Sequence, residues 1–313
     1  MSRKVQLDKK KKKRTWLRVT GIVILLLIFG TVAYGFSIYK SLTDTVETMH
    51  QPIDRDKSEK RTEEVTLEKK DPFSALLLGV DERQGDRGRS DSMIVLTVNP
   101  NNNSVKMVSI PRDTRTEIVG YGTVDKINHA YAFGGIKMAI DTVENLLDIP
   151  IDYYMQINMK GFKDIVDSVG GITVSNNLDF TYDDVHFPKG DITLNGEKAL
   201  KYTRMRYEDP NGDFGRQQRQ RQIIQEVIRE GASLSSLTNY DQIFKALGKN
   251  VKTNLTFNEM IDIQRNYKTA GNNISQLTIE GQGKIINTIY YFLISDQEKQ
   301  KIQKELKEQL EIS

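Results

Sequence analysis

Two aspartates and five arginines, Asp81, Asp91, Arg89, Arg112, Arg204, Arg206 and Arg216, have side chains suited to holding a metal–diphosphate. Carboxylate oxygens take Mg²⁺, which keeps several waters, and guanidinium forks match the remaining phosphate oxygens. The densest part of this set is KYTRMRYEDPNGDFGRQQRQRQ, Lys201 to Gln222, which carries Arg204, Arg206, Arg216, Arg219 and Arg221. Arg204 and Arg206 are two apart, so an extended segment points them the same way. Pro210, Asn211 and Gly212 break the chain, and Asp213 caps a helix predicted to run to about Glu230. On that helix Arg216 and Gln220 fall on the apolar stripe of Ile223, Ile224, Val227 and Ile228, while Arg219 and Arg221 point away from it. A guanidinium aimed inward needs an anion, because a buried unpaired charge costs several kcal/mol. Two readings stay open: an internal ion pair with Glu208, Asp209 or Asp213, or a bound phosphate.

The elements that must position these groups can be traced along the chain. Phe73–Val80 reads as a buried strand with Asp81 at its carboxyl end, and the loop ERQGDRGRSD leads to a strand from Ser92 to Val98. After a turn at Pro100–Asn103 comes a strand from Val105 to Ile110, so the last two form a hairpin. If Val98 pairs with Val105, Asp91 falls opposite Arg112. The alternative is that both aspartates serve as caps or as partners of Arg83, Arg87 and Arg89. Beyond Pro111 the pattern predicts a helix at Gly135–Leu147, a strand at Tyr153–Asn158, a helix at Met159–Val169 and a strand at Gly171–Val174. That alternation implies an α/β layered domain. Residues 175–195 read as a polar excursion. Helices are predicted near Tyr240–Leu247 and Thr256–Lys268, a strand at Ile274–Glu280, and a charged helix from Ser295 with Ile302, Leu306 and Leu310 on one stripe.

Charge and composition exclude several functions. Residues 1–18 hold nine Lys and Arg against Asp8 alone, so the rest of this +3 chain is net −5, which removes support for nucleic-acid binding. Cysteine is absent and His50, His129 and His186 show no zinc-site spacing. There is no GxSxG elbow and no P-loop, and His129 reads as a hydrogen-bonded structural residue. Val19–Tyr39 is an uncharged apolar run of 21 residues, long enough to span a bilayer core of roughly 30 Å. With the basic cluster before it, the positive-inside rule predicts residues 1–18 as a cytoplasmic tail, 19–39 as a single-pass membrane anchor, 40–71 as a flexible extracellular stalk and 72–313 as an extracellular domain.

The segments LLLGVDER, RSDSMIVLTVNP, VSIPRDT, DKINHAYAFGG, INMKGFKDIVDSVGGI, LNGEKALKYTRMR and DFGRQQRQRQII, in this order between Asp71 and Ala232, resemble the extracellular domain of the LytR-CpsA-Psr family. The resemblance implies an α/β/α fold behind a single transmembrane helix, with a polyprenyl tail in an apolar tunnel and its pyrophosphate at the mouth. It implies a phosphotransferase that moves a phosphate-linked glycopolymer, with wall teichoic acid expected, from undecaprenyl diphosphate to a peptidoglycan hydroxyl. The 6-OH of N-acetylmuramic acid is the expected acceptor. By the same resemblance Asp81 and Asp91 hold Mg²⁺ (or Mn²⁺), and Arg89, Arg112, Arg204, Arg206, Arg216 and Gln220 bind the pyrophosphate. Asp81, Asp91 and Arg112 are then the catalytic set, and lipid-linked glycopolymer, peptidoglycan and membrane lipid are the partners. A polyprenyl-phosphate-binding regulator and a lipid pyrophosphatase are the alternatives.

Overall fold

The computed structural model describes residues 39–40, 43–81, 88–231, 248 and 250–312. In chain order its elements are β1 (Phe73–Val80), β2 (Ser90–Asn99), β3 (Ser104–Ser109), β4 (Arg115–Ile118), β5 (Thr123–Lys126) and α1 (His129–Leu147). There follow β6 (Tyr153–Asn158), α2 (Met159–Ser168), β7 (Ile172–Asn176), β8 (Phe180–Tyr182), β9 (Val185–Phe187), β10 (Gly190–Leu194) and α3 (Gly196–Arg204). The remainder is α4 (Asp213–Gly231), β11 (Val251–Thr253), α5 (Phe257–Asn266), β12 (Ile274–Thr278), β13 (Gln282–Ile286), β14 (Ile289–Leu293) and α6 (Asp296–Leu310). Residues 45–313 make up one compact unit.

β1 explains why this is a layered fold. Its alternate residues Leu76, Leu78 and Val80 join one apolar cluster, while Phe73, Ala75 and Leu77 join another, so both faces of the strand must be covered. Tyr131, Ile140 and Val143 of α1 and Ile302, Leu306 and Leu310 of α6 cover the first face. Ile224 and Ile228 of α4 with Met260 and Ile263 of α5 cover the second. Between these layers lies a six-stranded mixed sheet in the order β11-β6-β1-β2-β3-β12. β1 runs parallel to β6 and β3 parallel to β12, with β2 antiparallel to both β1 and β3. Four strands therefore end together, and the residues after them gather at one end of the sheet. α2, α3 and β7–β10 enclose a third cluster around Phe180, Phe187 and Tyr202.

Several expectations change in the folded chain. The 175–195 excursion is ordered as the β8–β9 and β7–β10 pairs. The helix expected from Gly135 begins at His129, and Gly135, at φ 67°, marks a break inside it. The β4–β5 and β13–β14 hairpins, too short to show periodicity, were not expected. The stripe on α6 is docked, with Leu306 fully buried. The helix expected at Tyr240–Leu247 and the membrane span, Tyr39 excepted, lie outside the described residues, and no helix among the described residues is long and apolar enough to cross a membrane.

The flexible stalk expected over residues 40–71 is corrected from Thr45 onward. Val46 and Met49 are buried, and Met49 packs against Val251. Arg55 grips Glu144 through two hydrogen bonds of 2.8 Å. Arg61 holds Asp152 in the same bidentate way, at 2.9 and 2.7 Å, and Asp152 also accepts from the Ser74 N–H at 2.8 Å. Ion pairs to partners some ninety residues away, unreadable from local composition, fasten this segment down. Because Arg61 and Asp152 are both largely buried, removing one strands the other. Asp152→Ala is expected to cost about 3–5 kcal/mol in urea unfolding of residues 45–313; a loss below about 1 kcal/mol, the level of a surface pair, would return the segment to a loose tether.

Candidate functional site

The site is assembled where the strands end. Asp81 follows β1, Arg112 follows β3, and Asp91 sits near the start of β2 between them. Gly79 pairs with Ser92 but Val80 with Ser90, so Asp91 is the extra residue of a β-bulge, a device that re-aims a side chain. The β2–β3 hairpin has the expected register, Val98 opposite Val105. Extending it sets Asp91 opposite Arg112, and Arg112 Nη1 donates to Asp91 Oδ1 at 2.8 Å. Burial by itself lowers the Arg112 guanidinium, but the Asp91 bond, with Asp213 and Asp113 nearby, raises it above its usual value.

α4 brings the second half. Arg216 Nη2 lies 2.7 Å from Asp213 Oδ1, and Arg206 Nε lies 3.6 Å from the same oxygen. Gln217 donates to Asp213 Oδ2 at 3.0 Å, and Gln220 Oε1 accepts from the Ser92 hydroxyl at 3.1 Å. The Arg216 Nε and the Asp213 Oδ1 are both buried without a hydrogen-bond partner. Burial pushes the Arg216 guanidinium below its usual value; Asp213 opposes this, and the charges of Arg112 and Arg206 add to it. A narrow cleft separates the halves, lined by Asp91, Ser92, Ser109, Arg112, Asp213, Arg216 and Gln220 among others. A desolvated guanidinium with an unused donor, flanked by two more arginines, is arranged to take an oxyanion.

The structure thus brings Asp91, Arg112, Arg206, Arg216 and Gln220 together. Three other expected site residues do not line the cleft. The Asp81 N–H reaches the Arg89 carbonyl at 3.4 Å, and the Arg89 side chain is exposed. Arg204, the last residue of α3, is exposed, and its Nη2 contacts Met159 Sδ at 2.9 Å. The ion-pair reading of the arginine stretch holds, since Asp213 pairs with Arg206 and Arg216, and the Arg216 Nε is left with unused donor capacity.

Arg219 and Arg221 point off the apolar stripe as the helical wheel predicts, and are nonetheless buried. They are 5% and 6% exposed, because α4 is wedged between α3 and β7 on one side and β3 on the other. Arg219 pairs with the Asp209 carboxylate and donates to the carbonyls of Tyr202 and Met205. Gly215 makes this possible, since a Cβ there would lie 1.9 Å from an Asp209 oxygen. Arg221 donates to Gln276 Oε1 and Ser109 Oγ, each at 2.9 Å, and burial lowers its guanidinium below the usual value. Sequence reasoning named Asp213 among three candidate partners without singling it out as the acid shared by Arg206 and Arg216; its i, i+3 spacing from Arg216 was the available signal. It missed Ser92 and Gln217, which carried none. His129 is hydrogen-bonded as expected, through Nδ1 to Asp125 Oδ2 at 2.7 Å.

No three His, Asp or Glu side chains gather into a metal cage among the described residues. Asp81 and Asp91, at neighbouring strand ends, are hard oxygen donors, and the Asp91 side chain keeps 45% of its exposure beside Arg112. That set fits Mg²⁺, which takes one or two carboxylates and completes its shell with water and phosphate oxygens.

Residues 36–308 match the LytR_cpsA_psr family. Over 304 residues the chain is 54% identical to a Bacillus subtilis (strain 168) protein named polyisoprenyl-teichoic acid--peptidoglycan teichoic acid transferase TagU, covering 97% of this chain and 99% of that one. A crystal structure from Enterococcus faecalis, described as a transcriptional regulator, superposes with a TM-score of 0.74 at 43% identity, covering 80% of this chain and 91% of that one. A structure described as TagT bound to LI-WTA superposes with a TM-score of 0.72 at 33% identity, over 84% of this chain and all of that one.

The two kinds of arginine on α4 should respond oppositely to mutation. Asp209→Ala, which strands the buried Arg219, is expected to destabilise residues 45–313 by about 3–5 kcal/mol. Arg216→Ala removes an incompletely satisfied charge and is expected to cost less than about 1 kcal/mol, since Arg206 and Gln217 still serve Asp213. Equal losses in urea unfolding would make Arg216 a structural pair and remove the case for an anion there.

Proposed function

The chain belongs to the LytR_cpsA_psr family, and on that premise we propose that it is a phosphotransferase moving a phosphate-linked glycopolymer from an undecaprenyl-diphosphate carrier to a peptidoglycan hydroxyl. Wall teichoic acid is the proposed polymer and the 6-OH of N-acetylmuramic acid the proposed acceptor. The observation that carries the reading is the buried, unpartnered Nε of Arg216 beside Arg112 and Arg206. Relatives named teichoic acid transferases, such as TagU, and the similar fold of TagT bound to LI-WTA supply the chemical class.

In this reading the acceptor oxygen attacks the phosphorus attached to the glycan. The bond from that phosphorus to the bridging oxygen breaks, and undecaprenyl phosphate leaves. The hydroxyl proton departs toward Asp81 or Asp91, the carboxylates at the strand ends. Arg112, Arg206 and Arg216, with Arg89 and Arg204 reaching in from the exposed rim, hold the diphosphate against charge building on the bridging and leaving oxygens. Each guanidinium contact at 4 Å is of order 4 kcal/mol at an effective dielectric of about 20, against about 1 in water, so half-burial of the cleft matters more than the number of arginines. Gln220, fixed by Ser92, orients a phosphate oxygen. Asp81 and Asp91 are the residues that would hold Mg²⁺, which would supply further positive charge beside the diphosphate.

The polyprenyl tail is assigned to the layer between α4 and the sheet. There Ile224 and Ile228 pack against the cluster of Ile94, Leu96 and Met107, and these side chains must part to admit it. Residues 19–39 are the proposed single-pass anchor, with residues 1–18 cytoplasmic and the folded unit extracellular, where the donor's own diphosphate replaces ATP as the source of activation.

The test is transfer of a radiolabelled lipid-linked teichoic acid to peptidoglycan by the full chain with Mg²⁺. Arg112→Ala and Asp81→Ala are each expected to lower the rate by about 10²–10³ while keeping the wild-type melting temperature. Full activity in both variants would remove the site. Polymer binding without transfer would replace the enzyme by a regulator, as the Enterococcus faecalis relative is described, and phosphate release without acceptor would replace it by a pyrophosphatase.

A further inference from the structure

The folded unit exposes a concentrated apolar face at the site end of the sheet. Nine large hydrophobic side chains are exposed among the described residues, and four of them cluster on the β13–β14 hairpin or beside it. Ile285 is 70% exposed, Tyr290 47% and Ile289 45%, with Phe214 at 41%. Ile285 and Tyr290 are cross-strand partners, so they share one face of the hairpin, and Phe292 two residues along belongs to that face. Phe292 is buried and packs edge-on against Phe214, with ring centroids 5.6 Å apart. The strip therefore runs from the first turn of α4, two residues before Arg216, out to the hairpin tip. The opposite face is held in place: the Tyr291 hydroxyl donates to Asp125 and its ring faces Arg115 and Lys126. Phe292 N–H bonds the Asp113 carbonyl at 2.8 Å. An exposed strip of this kind on a rigidly mounted hairpin marks an interaction surface.

What covers it follows from where the chain comes in. Thr48 Oγ1 donates to the Gly248 carbonyl at 3.2 Å, and Met49 packs on Val251, Ile157 and Ile165. Val251 pairs with Ile157, near the carboxyl end of β6, so the polypeptide joins the folded unit at the same end of the sheet as Asp81, Arg112 and the hairpin. It joins at the β11 edge, and the hairpin extends from the β12 edge five strand spacings away, roughly 24 Å. Only residues 40–44 separate Thr45 from the apolar run that ends at Tyr39, a contour of at most roughly 20 Å.

We propose that Phe214, Ile285 and Tyr290, with Ile289 beside the turn at the hairpin tip, form a membrane-seating surface that rests in the headgroup region of the bilayer crossed by residues 19–39. Two aromatic rings and Ile285 on one face, with Ile289 at the tip, suit that interface. Tether and hairpin then place the cleft between two contacts with the leaflet. The proposal rests on the anchor reading of residues 19–39 and is independent of the transferase reading.

The test uses residues 45–313, which form their own compact unit, and flotation with vesicles of phosphatidylglycerol and phosphatidylcholine. The wild-type unit is expected to float with the vesicles, and the variant Ile285→Ser/Ile289→Ser/Tyr290→Ser, altered only at exposed positions, to lose about tenfold in the bound fraction. In the full chain with Trp16→Phe, a tryptophan introduced by Ile285→Trp is expected to be quenched by acyl-brominated lipid in nanodiscs, whereas one introduced by Asn102→Trp, in the β2–β3 turn at the other end of the sheet, is not. Equal flotation of wild type and triple variant, or equal quenching at the two positions, overturns the proposal. So does a wild-type dimer in solution that the triple variant abolishes without any vesicle binding, because the occupant is then a second copy.

Discussion

Positive charge held at close quarters with too few acids around it is the constraint on which this molecule turns. Arg112 has Asp91, and Arg206 and Arg216 share Asp213, whose oxygen and the Arg216 Nε still lack hydrogen-bond partners. Like charges under partial burial repel, and only a stiff surround keeps them in register. That stiffness comes from arginines of the other kind. Arg219 is saturated by the Asp209 carboxylate and two backbone carbonyls, and Gly215 lets Asp209 approach the helix closely enough to reach it. One helix thus carries a closed guanidinium that fixes its position and an open one that faces the cleft.

The sheet supplies the other half by a simple topological fact. With β1, β3, β6 and β12 running one way, the residues that follow them are delivered to one end, the place where open α/β sheets commonly take ligands. The bulge at Asp91 turns an ordinary strand residue toward Arg112. The same end receives the polypeptide at Thr48 and Met49 and projects the β13–β14 hairpin. Site, tether and exposed apolar strip therefore share one end of the sheet, while Arg55 and Arg61 fasten the intervening segment at the opposite end through Glu144 and Asp152.

Much of this was legible in the residues themselves. The hairpin register set Asp91 against Arg112, because two-period strands leave little freedom once one pair is assigned. The α/β layering and the apolar stripe of α6 were likewise readable from periodicity, and the break at Pro210–Gly212 marked where α4 begins. Strands three to five residues long, such as β4, β5, β13 and β14, repeat too few times for a period to show. The tether from Thr45 to Lys70 read as solvated because its charges are opposed by acids roughly ninety residues later.

The local pattern of residue types by itself determined which arginines exist, which strands they follow and which helix face carries Arg216 and Gln220. Tertiary structure alone decided which of them are open. Arg219 is sealed and Arg216 is not, although they stand three residues apart on one helix, because Asp209 packs on Gly215 while Asp213 must serve two guanidinium groups at once. Whether a buried cation is structural or poised for a ligand depends on the acceptors that other segments bring within about 3 Å, and those distances arise only when the layers pack.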